Sequence, residues 1–340
     1  MILKDDPRLN PSLALALKQF GMDEEAPGPP VKVEDPQEVK LGFIAAAEPL
    51  YQALSTMVFN SLTLPDTVIE KTQIIHGEDG NEISLYISHP QGAKENLPAV
   101  LHLHGGGMAL LTAADPNYIH WRQTLAAKGL VVIGVEFRNI GGLQGNHPFP
   151  AGLNDCYTAL KWVNDQKEAL GISRVIVSGE SGGGNLSLAT TLKAKKENAL
   201  QLIDGVFAQC PYISNQYAEP AKSTLPSLVE NDKYLINLEA MNVMASMYGG
   251  PSSKNPLAWP YYAKAADLVG LPPHVILVNE LDPLRDEGIA YYNQLQAVGI
   301  KSEHKILKGT IHAAEGLFPA HLPALHQDVQ EHIKRFADSL

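Results

Sequence analysis

Only two cysteines, Cys156 and Cys210, occur in the 340 residues, which excludes a disulfide-built scaffold and any cysteine-rich metal centre. Both stand in apolar segments and read as buried free thiols. Basic runs are missing too. With 26 Lys and Arg against 37 Asp and Glu the formal charge is −11, and no nucleic-acid partner is expected, because a phosphate backbone is held by clustered cations. No uncharged apolar stretch approaches the roughly 20 residues that span a bilayer. Met1 to Leu9 carries Asp5 and Asp6 where a secretory signal needs a cationic start leading into an apolar run, so a cytoplasmic protein without a membrane span is expected. Repeats and low-complexity tracts are absent. What is present is a 45% hydrophobic composition, enough for a large core that needs neither disulfide nor metal.

Residues 1–70 read as a helical segment broken at Ala26-Pro27-Gly28-Pro29-Pro30 and again at Asp35-Pro36. From residue 71 the pattern changes. Ile74-Ile75 and the alternating run Glu82 to Ile87 flank a Gly-Glu-Asp-Gly-Asn turn and predict a hairpin. Short apolar runs follow at Ala99 to Leu103, Leu130 to Phe137, Val175 to Val177, Val206 to Ala208 and Val275 to Val278. Amphipathic segments at Tyr118 to Lys128, Gly152 to Glu168, Gly184 to Lys196 and Asp286 to Val298 separate them, and a last one runs from Leu322 to Phe336. This alternation predicts an α/β fold with a mostly parallel sheet covered by helices on both faces. The stretch of about 213–265, with five prolines and the helix-like Leu238 to Tyr248, breaks the rhythm. A long excursion of this kind between strands reads as a cap over the active face of a catalytic domain spanning 71–340.

The densest chemical signal is Gly179-Glu180-Ser181-Gly182-Gly183, placed between an apolar strand and a helix. A Gly-x-Ser-x-Gly turn in that context exposes a serine hydroxyl at a sharp corner and aims the helix dipole at charge developing on oxygen. Ser181 is thus a candidate nucleophile. His104-Gly105-Gly106-Gly107 follows the strand Ala99 to Leu103 and supplies backbone amides for an oxyanion. Gly106, Gly107 and Gly182 are the candidate donors. No Walker lysine or dinucleotide spacing accompanies this glycine run.

A serine nucleophile needs a base, and the base an orienting acid, expected in the order Ser, acid, His. Asp282 follows the strand His274 to Val278, at the sheet edge where ligand-facing residues gather. Glu280 is the alternative acid, and Asp286 reads as a helix-start carboxylate. His312 lies in a loop past the strand Ser302 to Leu307, whereas His304 within that strand and His274 at a strand start read as structural. Tyr212, Met244, Met247, Tyr248 and Trp259 in the cap stretch are candidates for an acyl or alcohol pocket, although such residues serve equally as plain packing.

With these residues in hand, the sequence resembles the hormone-sensitive-lipase-like esterases of the α/β-hydrolase fold from about Leu97 onward. The family's His-Gly-Gly-Gly motif corresponds to His104 to Gly107, its Gly-Asp-Ser-Ala-Gly elbow to Gly179 to Gly183, and its Asp-Pro-Leu-x-Asp motif to Asp282 to Asp286. His147 to Ala151 and Asp155 also match. The resemblance implies an N-terminal helical cap, a Ser-Asp-His triad and small or medium ester substrates. Glu180 and Gly182 depart from the usual Asp and Ala, and a glycine-rich insert, Ile140 to Asn146, leaves one cleft wall open. The expectation is a serine carboxylic ester hydrolase, a monomer or homodimer, that works without a cofactor on short- to medium-chain acyl esters. An amidase or peptidase would use the same residues, and a non-catalytic small-ligand receptor is the reading from a different class.

Overall fold

The computed structural model describes residues 2–93 and 96–340. The strands are β1 (Val68–His76), β2 (Glu82–Pro90), β3 (Leu97–Leu103), β4 (Val131–Val135), β5 (Ile172–Glu180), β6 (Gly205–Gln209), β7 (His274–Asn279) and β8 (Ser302–Leu307). They form one sheet in the order β1-β2-β4-β3-β5-β6-β7-β8. β2 pairs antiparallel with both β1 and β4, while every pairing from β4 through to β8 is parallel. The α/β-hydrolase fold expected from the alternation of elements is the fold observed. The short apolar run at Val175 to Val177 is the centre of a longer strand: Ser178 is buried within β5 although its polar side chain interrupts the run.

Two helices precede the sheet, α1 (Pro11–Gln19) and α2 (Gln37–Phe59), separated by the Pro- and Gly-rich break. The rest are α3 (Pro116–Ala126), α4 (Ala151–Asp165), α5 (Gly182–Lys196), α6 (Ser227–Glu230), α7 (Leu238–Tyr248), α8 (Ala265–Leu268), α9 (Arg285–Ala297), α10 (Ala314–Leu317) and α11 (Pro323–Asp338). The 213–265 stretch, between β6 and β7, holds α6, α7 and the start of α8. Among the described residues no helix is long and apolar enough to cross a membrane.

Strand periodicity sorts the core into two layers, because successive side chains point to opposite faces. Val100, Val132, Ile176 and Phe207 face α3 and α11 and pack on Trp121, Leu125, Val329 and Ile333. Their neighbours Leu101, Ile133, Val177 and Ala208 join the larger cluster with Leu160 of α4, Leu188 of α5 and Tyr291 of α9. A third cluster joins α1 and the end of α2 to the loop after β8, through Leu13, Leu17 and Phe59 on one side and Ile311, Ala314 and Phe318 on the other. Asn10 caps α1, accepting from the Ser12 and Leu13 amides, and its own amide donates to the Gly309 carbonyl at 2.9 Å. The N-terminal helices are thereby fastened beside the loop that carries His312.

Candidate active site

β5 passes into α5 through a single residue, Ser181, whose backbone is left-handed at φ 56° and ψ −117°. Such a conformation costs free energy in a non-glycine residue and persists only where the surroundings over-determine it. Here the Ser181 amide donates to the Gln209 carbonyl, and the Ser181 carbonyl accepts from the Asn185 and Tyr212 amides. Its flanking glycines are required by the approach of β3. A Cβ on Gly183 would stand 1.9 Å from the Leu103 carbonyl oxygen, and one on Gly179 2.4 Å from the same atom.

The glycine-rich turn after β3 packs directly against this elbow. Gly106, Gly107 and Met108 are all left-handed, at φ 90°, 64° and 57°, and a Cβ on Gly106 would lie 2.1 Å from the Leu110 carbonyl. One on Gly182 would come within 2.8 Å of the Gly107 amide nitrogen and 2.7 Å of that of Met108. The alanine usual at this position in the resembled family would therefore press the turn outward, and glycine lets the two segments close. The Gly105 amide is shared between Glu180 Oε1 at 2.7 Å and the Tyr118 hydroxyl at 3.0 Å. Glu180, which precedes the serine, thus ties the elbow to the turn that carries the candidate oxyanion donors. Burial raises its carboxyl to about 7. His104 stacks on Phe137 with ring centroids 4.1 Å apart, and burial holds its pKa at about 3, so it is neutral and props the turn from behind.

His312 and Asp282 meet as their chain order predicts: the His312 Nδ1 donates to Asp282 Oδ2 at 2.7 Å. Asp282 is fully buried, and its other oxygen accepts from the Leu284 amide. Burial alone would lower the His312 pKa. The Asp282 carboxylate carries it well above the ordinary imidazole range. The loop is braced from β7 by Asn279, whose amide donates to Thr310 Oγ1 and Glu315 Oε2 and whose carbonyl accepts from the Ala313 amide. Glu280 is engaged elsewhere. It accepts from the Gly309 amide at 2.8 Å and pairs with Lys308. Asp286, in the first turn of α9, pairs with Arg285 and accepts from the Ser227 amide. His304 lies tilted against Tyr292 with ring centroids 4.3 Å apart, and the His274 Nδ1 lies 2.7 Å from the Pro272 carbonyl.

Three contributors escaped the sequence reading. Cys210 directly follows β6 beside the pair, its sulfur within 4.8 Å of the nearest side-chain nitrogen of His312 and oxygen of Asp282. Burial raises its thiol to about 11, so it packs as a neutral group. Its place at a strand's carboxyl end was the available signal. Glu48 of α2 is buried and accepts from the amides of Leu111 at 2.8 Å and Leu143 at 2.7 Å. It joins α2 to the segment after the glycine turn and to the insert Ile140 to Asn146; the cleft wall on this side is made by α2 with Leu110 and Leu111, and not by the insert. The third is the Asn279 brace.

Ser181, His312, Gly106 and Gly107 line one cavity of about 530 Å³. α2 supplies Phe43, Ile44, Leu50, Tyr51 and Leu54, and α7 supplies Met241 and Met244. Of the five pocket candidates in the cap stretch, the structure brings only Met244 to the wall. Tyr212, Tyr248 and Trp259 form a buried aromatic cluster behind it, with Trp259 edge-on to both tyrosines at 5.3 and 5.7 Å. Met247 packs against the same core. Aromatic burial there holds the excursion to the sheet, together with Glu287, which accepts from the Ile213 amide and the Ser214 and Tyr217 hydroxyls.

Comparison with known proteins bears on the fold and the family. Residues 100–315 match the alpha/beta hydrolase fold family. The chain is similar to carboxylesterase NlhH of Mycobacterium tuberculosis, 34% identical over 249 residues that cover 71% of this chain and 73% of the relative. Among solved structures it is similar to brefeldin A esterase, a bacterial homologue of human hormone-sensitive lipase, with 42% identity and a TM-score of 0.94 over 99% of this chain and 95% of that one. It is similar also to esterase Est22, with 34% identity and a TM-score of 0.89 over 99% of each chain. Fold, motifs and relatives converge: the chain belongs to the hormone-sensitive-lipase-like esterases of the α/β-hydrolase fold and is a carboxylesterase-type hydrolase.

Proposed function

We propose that Ser181 attacks the carbonyl carbon of an ester while His312 takes its proton, with Asp282 holding the imidazole in the tautomer that leaves the far nitrogen free to accept. The single observation that carries this reading is the buried 2.7 Å contact of His312 with Asp282, on a loop whose His312 lines the same cavity as the Ser181 elbow. The amides of Gly106, Gly107 and Gly182 stabilise the oxyanion. His312 then returns the proton to the leaving alcohol, and a water molecule attacking the acyl-Ser181 ester regenerates the enzyme by the same proton path.

The helices of residues 1–70 and the 213–265 excursion act as the cap in this reading, since α2 and α7 both furnish cavity wall. A cavity of about 530 Å³ with mostly apolar walls supports short- to medium-chain acyl esters, and it falls in the size range of sites that hold drug-sized ligands. Because a neighbour at 42% identity is a brefeldin A esterase, brefeldin A belongs among the substrates assayed. The test is hydrolysis of p-nitrophenyl esters from acetyl to dodecanoyl by wild type and Ser181→Ala. Turnover peaking at short or medium chains and lost in the variant is expected. Turnover that survives in Ser181→Ala would refute the assignment.

A further inference from the structure

α2 turns Phe43, Ala47, Leu50, Tyr51, Leu54 and Val58 to the cavity, a spacing that keeps them on one helix face. Tyr51 differs from the rest in carrying a polar group. The other polar side chain that α2 brings to this wall, Ser55, donates to Asn117 Oδ1 at 2.9 Å. The Tyr51 hydroxyl has no hydrogen-bond partner among the described residues. Tyr51 is 48% exposed, so the side chain is open to a ligand. Its hydroxyl is nonetheless enclosed: burial raises the pKa, and the charge of His312 acts against that rise. The accessible surface therefore belongs to the cavity, on the side that His312 occupies. We infer that Tyr51 is a specificity-determining residue whose hydroxyl donates to an uncharged oxygen in the alcohol portion of the ester. This rests on the ester-hydrolase reading of the same cavity.

Side and chemistry follow from the surroundings. In that reading His312 returns the proton to the leaving alcohol, so a group reached by the His312 charge borders the alcohol portion. A phenol hydroxyl both donates and accepts, and opposite an ether or carbonyl oxygen it is the donor. Charged groups are disfavoured, because the apolar wall of Phe43, Leu50 and Leu54 would strip their hydration without replacing it. An alkyl chain in the same place covers the hydroxyl and offers it no acceptor. That difference sets the discrimination.

The test compares kcat/KM of the full-length enzyme and Tyr51→Phe on esters matched in chain length, in which an ether oxygen replaces one methylene. The alcohol-side pairs are butyl acetate with 2-methoxyethyl acetate, and pentyl acetate with 3-methoxypropyl acetate. The acyl-side pair is ethyl pentanoate with ethyl 3-methoxypropanoate. In at least one alcohol-side pair the ether-to-alkyl ratio is expected to fall by about 3- to 10-fold in Tyr51→Phe, as for loss of one neutral hydrogen bond. The acyl-side ratio is expected to stay within about 2-fold. Differences in leaving-group reactivity and any general loss of rate cancel when wild-type and variant ratios are compared. The Tm is expected to hold, because the hydroxyl has no partner in the protein to lose. Alcohol-side ratios unchanged in both pairs would overturn the proposal, as would an equal fall on the acyl side. A marked drop in Tm would also overturn it, since it would mean that the hydroxyl is bonded within the fold. Absence of turnover by wild type on every ester would be distinguishable as failure of the hydrolase reading itself.

Discussion

His312 and Asp282 share a 2.7 Å hydrogen bond between groups that are nearly and wholly buried, and the loops bearing them are fastened to each other by the Leu281 amide donating to the Thr310 carbonyl. Because the carboxylate favours the protonated imidazole, it holds the His312 pKa above the ordinary range despite burial. In the proposed mechanism the base form takes the Ser181 proton, so kcat/KM is expected to rise with pH through a midpoint above that of a free imidazole. Asp282→Asn removes the charge. A pH profile of the variant is expected to show the midpoint moved to lower pH and kcat down by about 10⁴-fold.

Glu280→Gln separates the two acids. Glu280 accepts from Gly309 and pairs with Lys308, neither of which is His312. Its loss is expected to cost about 1 kcal/mol of stability, read as a small fall in Tm, with kcat within about 3-fold of wild type and the pH midpoint unmoved.

Gly106 tolerates no side chain, since a Cβ there meets the Leu110 carbonyl at 2.1 Å. Gly106→Ala is expected to displace the turn and lower kcat by about 10²-fold or more. Circular dichroism and Tm close to wild type would distinguish a misplaced oxyanion site from a misfolded chain.

Glu48 couples α2 to the segment behind the glycine turn. Glu48→Ala leaves the Leu111 and Leu143 amides without their acceptor; Leu143 is exposed and its amide can turn to water, so the loss is about 1 to 3 kcal/mol in all. A lower denaturation midpoint is expected, with kcat reduced as well because the loosened segment adjoins Gly106 and Gly107. Glu48→Gln, which keeps an acceptor oxygen, should recover part of both.

Met244 and Trp259 make a matched contrast. Met244→Ala is expected to enlarge the cavity and shift the preferred acyl chain to longer esters, with little change in Tm. Trp259→Ala, from the cluster behind it, is expected to cost about 3 to 5 kcal/mol of stability while leaving the chain-length order of the surviving folded enzyme unchanged.

Much of the fold was legible because parallel strands buried on both faces read as apolar runs, and Gly-x-Ser-x-Gly is informative when a strand precedes it and a helix follows. Asp282 and His312, which the structure brings together, could be named as candidates because chain order and strand ends leave few alternatives. The pocket was not legible. Tyr212 and Trp259 have the composition of a pocket wall and of a core alike, and only packing distinguishes the two. Glu48 reads as a lone charge in the apolar stretch Leu41 to Phe59 of its helix, whereas its partners lie 63 and 95 residues further along the chain. Long-range acceptance of backbone amides leaves no local pattern.

The assignment of Ser181 is tested most directly by labelling with diethyl p-nitrophenyl phosphate, which phosphorylates an activated serine. Intact-mass and peptide analysis is expected to find a single diethylphosphoryl group on the peptide containing Ser181, with activity lost in proportion to labelling, and no label on Ser181→Ala. Label on another residue, or inactivation of wild type without label on Ser181, would contradict the account.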